Sequence, residues 1–365
     1  MTGPGAPAKR INRTAAVKAL GLVVLAVIAL LLPVIAPDPA TTNKAVLTVM
    51  FVGLATAWNI MGGYTGYISL GHAAFFGFGA YSFGLLLIHL NITPGYAPFL
   101  LVPVAGLLTA SLAVGIGWVA LRTRAATFVI VTIAFMFIVQ LLAENLVKVT
   151  GGGAGLGLPY AREWGGAFFN TPYYYAMLAL AVIALFVSWW IRRSKFGLGL
   201  LAIRDDEDKA LAVGVPTRTF KLTAFVISAA LVGMIGGVFA YYITYIYPQF
   251  VVDPLIGISM VLMAFLGGLG TLSGPVIGAL LLEPAQLEFA YRFGASRLYL
   301  LFYATVFLIV ILLLPRGIVP SVVELLRDWR RRRAVGPTAG GSRTASAAGA
   351  GEEPATPAQQ GLASP

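Results

Sequence analysis

The chain has 365 residues, 59% hydrophobic and only 11% charged, with no cysteine, two histidines and a formal net charge of +11. A soluble domain carries about 25% charged residues, so this composition excludes a fully hydrated exterior and makes lipid the outer solvent. It also excludes disulfides, cysteine-ligated zinc and thiol chemistry. The basic residues sit between apolar runs and at the ends, which reads as membrane topology and argues against nucleic acid as a partner.

The predicted elements follow in chain order. Residues 1–14 form a cytoplasmic tail. Apolar runs long enough to cross a hydrocarbon core of ~30 Å lie at 15–36, 44–62, 67–89, 97–121, 126–147, 172–191, 220–246 and 298–315. The first run exceeds a signal-peptide core and lacks a small-residue cleavage site, so it is retained as a helix. The third overlaps MGGYTGYISLGHAAFFGFGAYSFGL (61–85), whose glycines, Gly71 and Gly77 among them, suit close backbone packing or a broken helix. Ser69 and His72 place polar groups there, either as interhelical hydrogen-bonding residues or as part of a solute path. Asn59, Gln140 and Ser228 are the other candidates for that path.

After the sixth run comes the longest inner loop, 192–221, with four consecutive acids from Asp205 to Asp208. Asp205 or Asp206 can cap a short helix of about 206–213, and Gly214 before Val215 and Pro216 stops it. A turn or two precede it around Leu200 to Arg204. Apolar Leu200, Leu201, Ile203, Leu211 and Val213 beside capped ends suggest a docking element, with Asp206 and Glu207 facing the partner; a solvated loop is the plainer alternative. In the next run Ala229, Gly233 and Gly237 recur at four-residue spacing, a close-packing pattern. The uncharged stretch from Pro254 to Leu282 would make a helix of about 43 Å, too long for an upright span. Gly267, Gly268, Gly270, Gly274 and Pro275 break it into segments of about 255–269 and 275–290, either two crossings or a re-entrant pair. Residues 320–333 form a basic juxtamembrane segment suited to anionic membrane lipid, and 334–365 a disordered tail.

With the N-terminus inside, 20 of the 25 basic residues fall on the cytoplasmic side. That asymmetry supports an all-α, polytopic bundle of about 8–10 membrane segments with both termini cytoplasmic, a multi-pass protein of the cell membrane whose permease domain spans 15–319. No G-x-x-x-x-G-K-[ST] phosphate loop is present, and no cluster of catalytic or metal-ligating residues, so the chain is read as a non-enzyme with no cofactor or metal of its own. Ionisable groups at membrane depth are few, with His72, His89 and Glu144 as candidates, which favours an external energy source over ion coupling.

Three stretches, GGYTGYISLGHAAFFGFGAY, FGLGLLAIRDDEDKALAVGV followed by KLTAFVISAALVGMIGGVFA, and LGGLGTLSGPVIGA, occur in this order within about 40–315. In these the chain resembles the branched-chain amino-acid (LivM-type) permease family of ABC importers. Gly199 departs from the family, which often carries a larger residue there. The resemblance implies a second homologous permease, two cytosolic ATP-binding subunits that hold ATP and Mg, and an extracytoplasmic substrate-binding protein. It implies that Phe196, Gly197, Ala202, Arg204, Asp205, Asp206, Glu207, Ala210 and Gly214 form the coupling loop to the ATPase. The competing readings are an ion-coupled secondary transporter or channel and, within the ABC class, uptake of urea or a short amide.

Overall fold

The computed structural model describes residues 27–161, 164–165, 169–293, 301, 305, 308–309, 312 and 317–325. The tails 1–14 and 334–365 and most of 320–333 lie outside the described residues, as does most of 298–315. The protein is an all-α membrane bundle. Its long helices are α1 (Pro39–Thr65), α2 (His72–His89), α3 (Val102–Ala120), α4 (Ala125–Asn145), α5 (Asn170–Arg193), α8 (Thr217–Ile243), α9 (Pro254–Gly267) and α10 (Gly274–Phe293). The short helices α6 (Lys195–Asp205) and α7 (Glu207–Ala212) lie between α5 and α8. Residues 27–35 are helical, and Tyr174 Oη on α5 donates to Ala29 O at 2.6 Å.

α1 is the axis of the molecule. Asp38 accepts from Thr41 N at 3.1 Å and Pro39 opens the first turn, a start with no wasted donor. The helix ends where Gly66 takes φ 75°, which side chains other than glycine resist. Its apolar window is 89% buried, whereas that of α4 is 22% buried. α5, α8, α9 and α10 surround α1, and α8 in turn packs on α2 and α3.

Small residues permit that packing. A Cβ on Gly79 would stand 2.2 Å from Gly233 O, and one on Gly236 would stand 2.1 Å from Phe76 O, so α2 and α8 meet backbone to backbone. On its other side Gly233 abuts Thr109 of α3. Gly237 faces Phe83, Gly77 faces Val252, Gly71 faces Thr132 O, and Ala229 is fully buried. In lipid such contact supplies the dispersion energy that holds helices together, because the hydrophobic effect between them is absent.

Two boundaries differ from the sequence reading. The run expected as one crossing at 67–89 starts with non-helical residues, and α2 begins only at His72. The backbone there is satisfied by side chains. Trp58 Nε1 donates to Ser69 O (2.7 Å), while Leu70 N and Tyr67 N donate to Thr132 Oγ1 (3.3 Å) and Thr65 Oγ1 (3.1 Å). Irregular backbone survives at membrane depth only when enclosed in this way. The run expected at 220–246 instead stops at Ile243, where Thr244 adopts φ 59°. The chain then pairs Tyr245–Ile246 antiparallel with Leu156–Gly157 before descending to a buried break at Val252.

The pair α9 and α10 is a hairpin of two antiparallel helices, with Gly278 packed on Met263 O. The turn between them, 268–273, lies beside the cytoplasmic ends of α1 and α5, where Arg192 Nη1 donates to Gly270 O at 3.0 Å. At the far end of α10 Glu288 takes a 2.7 Å ion pair from Lys44, near the outer start of α1. α10 thus packs along α1 from the turn as far as Lys44. The turn needs glycine: Gly268 and Gly270 have φ 127° and 74°, and Gly267 packs on Gly274.

Candidate functional site

The loop 192–221 folds into a rigid elbow. Ser194 caps α6 by accepting from Gly197 N at 3.1 Å. That cap turns the expected turn or two before Arg204 into an eleven-residue helix. Gly197 is pressed against Ile191 O, where a Cβ would come within 2.1 Å, and the ring of Phe220 occupies the space a side chain on Gly199 would need. Phe220 also packs on Phe196 (ring centres 5.0 Å apart). Asp206 is extended and caps α7 through Lys209 N (3.0 Å). Its carboxyl pKa is held below the ordinary range by that bond and by the Lys209 ammonium. At the other end Val215 N donates to Ala210 O and Gly214 N to Leu211 O, with Gly214 at φ 89°. These two bonds form a Schellman stop.

One face of the elbow is fastened to the bundle. Leu200, Ile203 and Ala210 are buried, and Ala202 is half-buried. Arg204 Nη1 donates to Gly63 O at 2.8 Å, at the cytoplasmic end of α1. Glu207 does not face outward as the acidic run suggested. Its Oε1 accepts from Lys221 Nζ at 2.5 Å, and Tyr67 Oη donates to its Oε2. Lys221 also donates to Tyr67 Oη (3.0 Å) and lies over the Tyr67 ring at 4.2 Å. The reason is Lys221 itself, on α8 with only 4% of its side chain exposed; a buried ammonium needs a carboxylate, and Glu207 is the one in reach. Burial raises the Glu207 pKa, but the Lys221 and Tyr67 bonds outweigh it and keep the carboxyl below its ordinary value. The other face presents Leu198, Leu211 and Val213, Val213 being 79% exposed, together with Asp205 and Asp208.

From Tyr67 the chain leads two residues on to a second polar cluster. His72 Nδ1 and Nε2 lie 2.8 Å from Ser69 Oγ and from Ser228 Oγ respectively. Ser228 gives its one proton to Ala57 O at 2.7 Å, so it accepts from Nε2–H, and Nδ1 accepts from Ser69. The imidazole is thus neutral and saturated, and Phe75 and Phe225 stand edge-on to it. Three consecutive residues of α1 reach three elements: Ala57 holds α8, Trp58 holds the 66–71 segment, and Asn59 holds the 268–273 turn. Asn59 Oδ1 accepts from Gly270 N (2.9 Å) and Nδ2 donates to Thr271 O (3.0 Å).

Of the five candidates for a solute path, the structure brings Asn59, Ser69, His72 and Ser228 together around α1, all fully buried with their polar atoms engaged. Gln140 lies apart on weakly buried α4, on the same face as Glu144. Sequence reasoning missed Tyr67, Lys221 and Trp58, for which no local pattern speaks. It also passed over Glu283 as a buried acid: the residue is 2% exposed on α10, and among the described residues its Oε2 has no hydrogen-bond partner.

Comparison with known proteins agrees with this architecture. Residues 40–312 match the model of the family described as "Branched-chain amino acid transport system / permease component". The chain is 31% identical over 307 residues to the high-affinity branched-chain amino acid transport system permease protein LivM of Escherichia coli K12, covering 77% of this chain and 71% of that one. It is 24% identical to LivH of Salmonella typhimurium (76% of this chain, 93% of that one). It is 27% identical to the L-arabinose ABC transporter permease protein AraH of Azospirillum brasilense (43% and 47%). No solved structure matches. These relatives are transporter permeases and not enzymes, and with seven apolar helices of spanning length among the described residues the protein is a multi-pass protein of the cell membrane. The chain belongs to the branched-chain amino acid transport system permease family.

Proposed function

We propose that this chain is the membrane-spanning permease subunit of an ABC importer for branched-chain amino acids. It works beside a second homologous permease and on two cytosolic ATP-binding subunits, which hold the ATP and Mg, and it receives its solute from an extracytoplasmic substrate-binding protein. The observation that carries this reading is the two-faced elbow. Leu198, Leu211 and Val213 form an apolar surface on the cytoplasmic side, while Arg204 and Glu207 tie the opposite face to α1 and α8. A solvated loop has no use for that arrangement; a lever does. Closure of the ATP-binding subunits pushes the elbow, and the push enters α8 through Lys221, α1 through Gly63, and the 66–71 segment through Tyr67.

In this scheme α4 supplies a wall of the solute path. Gln140 and Glu144 share one face of a helix that the bundle barely covers. Polar groups turned to lipid are costly, so that face suits the second permease and the solute between the two. The buried Asn59, Ser69, His72 and Ser228 brace the wall from behind.

The docking test is the double substitution Leu211→Asp and Val213→Asp in the full chain. The expected result is unchanged membrane yield with loss of the co-purifying ATP-binding subunit; retention at wild-type level sinks the proposal. Uptake of leucine by vesicles holding all subunits should require ATP and resist competition by urea. A second reading, ion-coupled carriage by this chain alone, draws on one observation, the unpartnered Glu283. Accumulation of solute by vesicles holding only this chain under a proton gradient, lost in Glu283→Gln, would establish it instead.

A further inference from the structure

Helices α2, α3 and α4 line a fissure of about 720 Å³. It runs from Val119 and Ala120 at the cytoplasmic end to Val149 and Thr150 at the outer end, and Tyr81, Ser82 and Thr150 are the only polar side chains lining it. Along α4 the lining extends from Val131 to Ala143. At ~1.5 Å per residue that is about 18 Å, longer than the ~15 Å of hydrocarbon in one leaflet. α3 and α4 barely touch, so the fissure is not a cavity closed by packing.

A cationic girdle lies at its cytoplasmic end. Trp118, next to the lining residue Val119 though not itself part of the lining, is half-exposed, and two guanidinium groups lie on its ring, Arg122 at 4.0 Å and Arg218 at 5.1 Å from the ring centre. Arg218 Nη2 also donates to Trp118 O at 3.3 Å. Among the described residues neither arginine forms an ion pair. The adjoining cytoplasmic cleft is lined by five cations and four acids, and two of those acids, Asp206 and Glu207, are committed to Lys209 and Lys221. Asp205 and Asp208 remain, on the elbow side of that cleft.

We propose that this fissure holds an acyl chain of an anionic phospholipid from the cytoplasmic leaflet, with its phosphate on Arg122 and Arg218. A dry slot of acyl length, rooted in a tryptophan–arginine girdle at headgroup level, matches both ends of such a lipid. The lipid would fill the space beside α4 and leave that helix free to shift when the elbow moves, so this role rests on the transport reading above; the binding does not.

The experiment is native mass spectrometry of the full chain, purified in mild detergent and offered equal phosphatidylglycerol and phosphatidylethanolamine. Wild type should retain the anionic lipid over the zwitterionic one by about tenfold, given two arginines at an anionic headgroup. Arg122→Gln with Arg218→Gln should abolish the preference. Ala134→Phe, which fills the slot, should lower retention of both lipids without changing the melting temperature. Equal retention by wild type, or a preference unchanged in both variants, overturns the proposal. So does an Ala134→Phe chain that keeps its lipid but no longer captures a co-expressed second permease, which would make the fissure a protein interface. Each result is read without transport activity, so failure of the importer reading leaves the lipid test intact.

Discussion

Two polar clusters lie at either end of the 66–71 segment, and they solve burial in opposite ways. At membrane depth, His72 with Ser69 and Ser228 forms a closed chain of neutral hydrogen bonds. At the cytoplasmic end, Lys221 with Glu207 and Tyr67 forms a charge pair, and 31% of the Glu207 side chain still meets water. Full charges in the first position would cost several kcal/mol that nothing nearby offsets. In the second position, water on one side lowers that cost, and the pair gains a strength and direction that neutral bonds lack. The inner cluster is built to be still, and the outer one to hold a moving part.

The comparison can be broken most strongly at the charge pair. Glu207→Gln strands a buried ammonium; since the carboxylate is partly hydrated, the expected cost is the lower end of the range for a broken buried pair, about 3 kcal/mol, seen as a lower unfolding temperature in detergent. Combining it with Lys221→Met should restore more than half of the loss, and failure to do so would mean that the pair is not the fastening. His72→Ala should cost about 2 kcal/mol, because Ser69 loses its acceptor and a cavity opens beside Phe75 and Phe225. Gly214→Ala should cost about 1 kcal/mol by forcing a side chain into φ 89°.

The smallest effect sharpens the contrast by pH. The Glu207 carboxyl has a folded pKa below its ordinary value of 4.5. The native state therefore binds fewer protons than the unfolded chain, and this contribution is complete above about 4.5. It is lost as pH falls through the folded value. Thermal unfolding of wild type should show that acid-side loss, and Glu207→Gln should show less of it.

Much of this was legible in the residues. Hydropathy is a local property, so the apolar runs located the spanning helices among the described residues, and the acids before Gly214 located α7 to within a residue at each end. The glycines from Gly267 to Gly274, with Pro275 after them, located the break between α9 and α10 for the same reason: glycine and proline conformation is decided nearby. The interruption at 66–71 was legible only as one of two alternatives, close packing or a broken helix, because what permits it is Trp58 and Thr132 arriving from other helices. The direction of Glu207 was hidden as well. Four acids in a row look alike until Lys221 arrives from the next helix and selects one.

By itself, then, the sequence determined the solvent, the helical class and the capped elbow between the sixth run and the next, because each depends on neighbours along the chain. Only the tertiary structure decided that Ala57, Trp58 and Asn59 join three elements, that α10 packs antiparallel to α9 and along α1, and that α4 is left nearly bare. Those features depend on which buried donors and acceptors meet in space. With no water in the bilayer to complete them, partners from distant parts of the chain have to be brought together.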